Sequence, residues 1–312
     1  MTTVSTPKRA QRPGGPERRR IRRRRRRPAR YAAMIPGLAL LAGLAIYPAI
    51  YSLVVSLHRW NLQDPIGRRF LGLDNYQLLL GDAAFWHSVQ VTVVFVAVSV
   101  TVEFLLAFAL ALLFFRRFPG DSVLRSILLL PMLCAPVVVG LLARYVLDAR
   151  FGIVNQLLGL IGVGPVEFLG NPSLALPALI VVDVWQWTPF LFLILLAAMQ
   201  GIPEDVIDAA KIDGAGWGRI VWYQFLPLLR YPIAVGVALR VIDAFRAYDI
   251  IFMTTRGGPI NATETMSWRA YDFGFRAFDI AYAAAFSWLL LVIVVAAVIV
   301  VLRRSVKEME AA

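Results

Sequence analysis

Apolar residues dominate six windows of the chain, 33–57, 89–115, 123–147, 174–199, 229–252 and 280–302. Each is about the length of the roughly 20-residue helix that crosses a hydrocarbon core at about 1.5 Å per residue. The pattern predicts six transmembrane helices, with polar connections at 58–88, 148–173 and 253–279. One more polar segment stands out between the fourth and fifth windows, Ile207 to Pro227, IDAAKIDGAGWGRIVWYQFLP. Its first part predicts a short helix of about three turns. Pro203 suits the first turn, Glu204 and Asp205 complement the positive end of the helix dipole, and Gly214 suits a left-handed terminus. Ala209 and Ala210 leave that helix a face nearly free of side-chain bulk, open to close approach by another surface, and Gly214, Ala215, Gly216 and Gly218 permit a sharp bend. A second short helix carrying Trp217, Trp222, Tyr223 and Phe225 is expected at the membrane surface, broken by Pro227 before the fifth span.

Composition agrees with a membrane protein. Of 312 residues 59% are hydrophobic and only 17% charged, too apolar for a soluble domain. The net charge of +12 sits in the first thirty residues, where thirteen Lys and Arg face the single Glu17, so no basic face of nucleic-acid size remains elsewhere. Residues 1–30 read as a disordered arginine-rich cytoplasmic tail beside an anionic leaflet, and 31–312 as the transmembrane domain. Tyr31 to Leu57 is too long for a signal-peptide core and reads as a retained anchor. Arg116, Arg117, Arg125, Arg303, Arg304 and Lys307 place both termini and the 207–227 segment inside under the positive-inside bias. Arg68, Arg69 and Arg256 oppose that bias, in company with Asp64, Asp74, Asp82 and Glu264. The one cysteine, Cys134, excludes an intrachain disulfide, and His58 and His87 have no partners at ligand spacing, so no metal site is expected.

Ionisable residues at membrane depth need a reason, and Glu103, Asp183, Arg240, Asp243 and Arg246 fall inside or beside spans. Arg240 and Asp243 lie three apart, as do Asp243 and Arg246, so mutual neutralisation is the first expectation and lining of a transport path the second. Asp183, Trp185, Gln186 and Thr188 combine a flat apolar ring with hydrogen-bonding groups, which suits a sugar's apolar face and polar rim.

In the 207–227 segment Asp208, Ala209, Ala210, Gly214, Leu226 and Pro227 fall in the register Glu-Ala-Ala, three residues, Gly, nine residues, Ile-x-Leu-Pro. That register resembles the cytoplasmic signature loop of ABC importer permeases; Asp208 stands at the Glu position and Gln224 at the Ile position. Further pieces are similar to the carbohydrate-importing branch, including maltose-type and glycerol-3-phosphate-type permeases. They are Phe70 to Tyr76, Asp183 to Phe190, Ile202-Pro203-Glu204, Asp213-Gly214-Ala215, Asp243-Ala244-Phe245 and Gly257-Gly258-Pro259. The resemblance implies an all-α integral membrane protein of the type I importer permease fold, with a coupling helix between spans four and five. It also implies a second, similar permease subunit, two ATPase subunits that carry ATP and Mg, and an extracytoplasmic solute-binding protein.

The chain itself has no ATP site to offer. A phosphate-cradling loop needs Gly-Lys followed by Ser or Thr, and the three lysines, Lys8, Lys211 and Lys307, follow Pro, Ala and Val. Hydrolysis is therefore expected on another polypeptide. The rivals are an ion-coupled secondary transporter, for which neither inverted repeats nor an ion site is clear, and a non-transporting membrane scaffold.

Overall fold

The computed structural model describes residues 34–64, 67–116 and 118–310. The arginine-rich tail and Arg117 lie outside the described residues, as do the side chains of Arg304 and Lys307. The chain divides into two compact units, 1–50 and 51–312. Described residues of the first unit form the opening part of helix α1, Ile35–Ser56, which contains a π-turn at Ala42–Ile46.

In the second unit a small antiparallel pair, β1 (His58–Arg59) and β2 (Arg69–Phe70), leads to α2 (Asp74–Gly81) and the long α3 (Ala83–Phe115). There follow α4 (Asp121–Leu133), α5 (Pro136–Val146), α6 (Ile153–Leu160) and α7 (Pro172–Gln200). The 204–227 loop opens with α8, Glu204–Ile212. Helix α9 (217–245) is built from Trp217–Ile220, a π-turn at Val221–Phe225 and Leu226–Phe245. The remaining helices are α10 (Asp249–Met253), α11 (Met266–Tyr271, extended by a π-turn at Asp272–Arg276) and α12 (Ile280–Glu310).

Among the described residues, five stretches are long and apolar enough to cross a membrane: Ile35–Ser56, Ala83–Phe115, Pro172–Gln200, Trp217–Met253 and Ile280–Arg303. The third predicted window, 123–147, is two helices, α4 and α5, meeting at 95°. Pro136 explains the break: a residue before proline is pushed out of the α region, and Ala135 is extended at φ −61° and ψ 137°. Six spans result only if that bent pair crosses as one.

A second departure concerns Pro227. It was expected to end a surface helix, yet helical structure runs through it from Trp217 to Phe245. The π-turn immediately before it accommodates the ring, which in a regular α-helix collides with the carbonyl four residues back. Pro48 follows the π-turn of α1 at the same two-residue spacing.

Helix α7 is the centre of the second unit, packed on α3, α4 and α9. At one end, Ala107, Ala111 and Phe114 of α3 meet Leu191, Phe192, Leu195 and Met199 of α7 and Phe225 and Leu229 of α9. Further along, Phe95 and Val100 pack with Leu179, Val184, Val241 and Phe245. The close α5–α10 crossing depends on Gly140, where an added Cβ would stand 2.9 Å from Met253 Cβ and 3.2 Å from Ile250 Cα. At Gly236 the tightest contact is the flexible tip of Leu191 at 3.2 Å. Gly140→Ala is therefore expected to cost about 1–3 kcal/mol by overpacking. It should lower the detergent melting temperature more than Gly236→Ala does; the reverse order in a thermal-shift series contradicts this packing.

Candidate functional site

Two polar sites interrupt the apolar helices. The first is centred on Arg240 of α9, which is 1% exposed. Its Nε donates to Glu103 Oε2 at 2.7 Å and its Nη2 to Glu103 Oε1 at 2.9 Å, a two-pronged bond to α3. Nη2 also donates to Asp183 of α7, and Nη1 reaches Asp243 Oδ2 at 3.4 Å. The guanidinium carbon lies 5.4 Å from the centroid of the Trp187 ring. One cation therefore joins the three central helices, and the planar fork of arginine suits it to paired carboxylates.

The expected neutralisation within one helix holds only for Arg240 and Asp243, and there as the weakest contact. The strong partners of Arg240 are Glu103 and Asp183, 137 and 57 residues away in sequence, and Asp243 is the weakest of the three. Among the described residues no ion pair joins Asp243 to Arg246. Sequence spacing reports neighbours on one helix and is silent about which span faces which.

Beside this cluster lies a pocket of about 60 Å³ whose wall includes Asp183, Gln186, Trp187, Asp243, Arg246, Tyr248 and Asp249. Asp183, Gln186 and Trp187 stand at i, i+3 and i+4 and so share one face of α7. Trp185 points elsewhere and is 53% exposed. Thr188 is buried with its hydroxyl donating back to Val184 O at 2.6 Å. Of the four α7 residues singled out in the sequence, the pocket gathers Asp183 and Gln186 and leaves out Trp185 and Thr188. Trp187 was missed as a pocket residue, although helical periodicity would have found it; Glu103 stood out as a charge at membrane depth, but nothing in the spacing points to Arg240 as its partner.

The second site is the 204–227 loop. Gly214 ends α8 in the left-handed conformation at φ 76°, as expected from its sequence. Ala210 departs from expectation. It is buried with Ile207 against the α3, α7 and α9 core, so it faces inward and is not part of an open face. The outward face carries Glu204, Asp205, Asp208, Ala209, Asp213 and Gly214, and Asp208 is paired with Lys211 at 2.6 Å. Both of those groups are largely exposed, and such a pair contributes little to stability. Ala215 and Leu226 are half-buried and Pro227 is exposed. Between α8 and the end of α3 lies a groove of about 760 Å³ lined by Phe115, Arg116, Glu204, Asp208, Lys211 and Trp217. Arg116 stacks over Trp217 at 5.3 Å.

A multi-pass helical unit with a polar pocket among its spans and a helix–turn–helix loop at one end defines a membrane permease. The chain belongs to the family of binding-protein-dependent transport system inner membrane components, which it matches over residues 103–308. It is 38% identical to the trehalose/maltose transport system permease protein MalF of Thermococcus litoralis, over 78% of this chain and 82% of that protein. It is 34% identical to the trehalose transport system permease protein SugA of Mycobacterium tuberculosis, over 83% of each. A solved bacterial ABC transporter involved in the import of the acidic polysaccharide alginate contains a chain of the same fold. The TM-score is 0.78 at 22% identity, covering 90% of this chain and 96% of that one. The protein is thus a multi-pass permease subunit of an ABC importer, a transport component.

Removing Arg240 while its partners remain leaves two buried carboxylates uncompensated, a loss of about 3–5 kcal/mol. Arg240→Met should therefore fail to accumulate in membranes. A triple change with Glu103→Gln and Asp183→Asn should recover much of the level, as read by quantitative immunoblot; equal loss in both denies the ion cluster its role in assembly.

Proposed function

We propose that this chain is one of two similar permease subunits of an ATP-driven importer for a sugar, polyol or sugar derivative. An extracytoplasmic binding protein delivers the solute, and two ATPase subunits on the cytoplasmic side carry ATP and Mg. Both termini and the 204–227 loop lie in the cytoplasm in this reading. The sugar class is supported by the trehalose and maltose permeases among its relatives. The polar pocket at Asp183, Gln186, Trp187 and Asp243 forms part of the path, together with a wall from the second subunit.

The observation that carries the mechanism is the two-sidedness of α8. Ile207 and Ala210 fix its underside to the core formed by α3, α7 and α9, while Glu204, Asp208, Ala209 and Asp213 stay exposed. A partner that pushes on the outer face therefore pushes on the central helices. ATPase closure would move α8, open the path toward the binding protein, and hydrolysis would reset it.

Two experiments test this. Purified from its native membrane in mild detergent, the chain should bring a nucleotide-binding subunit and a second multi-span protein; recovery alone or as a homo-oligomer favours the secondary-transporter reading. Gly214 has φ 76°, so a β-branched side chain there is strained. Gly214→Val should leave the assembly intact and ATP hydrolysis present while cutting uptake at least tenfold; normal uptake removes the docking role of the loop.

A further inference from the structure

The charge on the wall of the 60 Å³ pocket bears on which solutes pass it. We propose that this pocket accepts uncharged polyhydroxy solutes and rejects anionic ones, such as sugar phosphates, uronates and sulfonates. The inference rests on the transport reading of the same site.

Two arginines near the pocket could in principle hold an anion. Arg240 is withdrawn from that role, since it is 1% exposed and its guanidinium is taken up by Glu103, Asp183 and Asp243. Arg246 lines the pocket, but Asp243 and Asp249 line it too, one on each side of Arg246 in sequence and three residues away. Asp183 adds a third wall carboxylate, and beneath it Glu103 offsets Arg240. Carboxylates therefore outnumber guanidinium groups, and an arriving anion meets an acidic wall in a setting of low dielectric.

The same wall suits hydroxyl groups. Carboxylates accept hydrogen bonds from them. Gln186 is 1% exposed and donates its Nε2 to Cys134 O at 3.2 Å, while no donor reaches its Oε1 among the described residues. Gln186 lines the pocket, so this acceptor is available to a solute donor there. A cavity of 60 Å³ is about two water molecules in size, so these residues grip one hydroxyl-bearing edge of a solute, with Trp187 offering ring surface beside it. The fold leaves the charge preference open, because the alginate importer shares it and carries an acidic polysaccharide. The side chains of the pocket set it.

Thiol labelling reads the pocket's charge without knowledge of the solute. In native membranes, with Cys134→Ala removing the one native thiol, Ala247→Cys and Pro136→Cys each place a cysteine on the pocket wall. The probes are a trimethylammonium-bearing and a sulfonate-bearing methanethiosulfonate, their rate ratio normalised to that of a free thiol in solution. The cationic reagent should be favoured at least tenfold, the preference falling with Asp243→Asn and rising with Arg246→Gln. A ratio near one, a preference for the anionic reagent, or no reaction at either position overturns the proposal. Inward transport of a sugar phosphate, uronate or sulfonate by the intact assembly within tenfold of its uncharged counterpart does so as well. The labelling ratio holds even if the chain moves no sugar, so failure of the transport reading is told apart from failure of this one.

Discussion

A charged side chain in a hydrocarbon-rich interior persists only if its partners come with it, and Arg240 brings them from three helices. Glu103 on α3 and Asp183 on α7 hold it from two sides, and Asp243 completes the set from its own helix. Nonspecific packing of apolar faces in lipid has little power to choose one helix register over another, because lipid tails are as apolar as Leu. The Glu103–Arg240–Asp183 cluster does choose, since a shift of any one helix along its axis separates buried charges. The register of α3, α7 and α9 is thereby fixed, and with it the wall of the adjoining pocket.

The same three helices carry the 204–227 loop. Helix α8 follows α7 after a three-residue connection and packs its Ile207 and Ala210 beneath the core, while α9 leaves the loop without a break. The π-turn at Val221–Phe225 lets Pro227 sit in a continuous helix, so Trp217 and Arg240 belong to one rod. Pocket and loop are thus two ends of the same bundle. In the proposed reading a push on α8 reaches the pocket through α7 and α9 with no flexible hinge at Pro227.

Much of this was legible in the sequence, for identifiable reasons. The apolar windows gave five of the spans directly, and Gly214 adopts the left-handed terminus that its type predicts. The third window failed as a straight helix because hydropathy counts apolar residues and does not register that Pro136 turns the chain by 95°. Pro227 misled in the opposite direction, a proline read as a stop where a π-turn absorbs it. Ala210 was read as open because small residues look alike whether they admit a partner or the protein's own core. The ion cluster was half legible: the charges were conspicuous, but their pairing depends on which helices touch. Trp187 was visible all along as the i+4 neighbour of Asp183, and Trp185 drew notice only because it is also aromatic.

The central claim is that the exposed face of α8 engages an ATPase and works the helices behind it. Ala209 sits on that face with little bulk of its own, so a cysteine there, in a chain lacking Cys134, tests it most directly. Short bifunctional crosslinking in native membranes should join position 209 to a nucleotide-binding subunit, with a yield that changes when vanadate traps ADP after hydrolysis. An adduct only to a second copy of this chain, or none in either nucleotide state, would contradict the account.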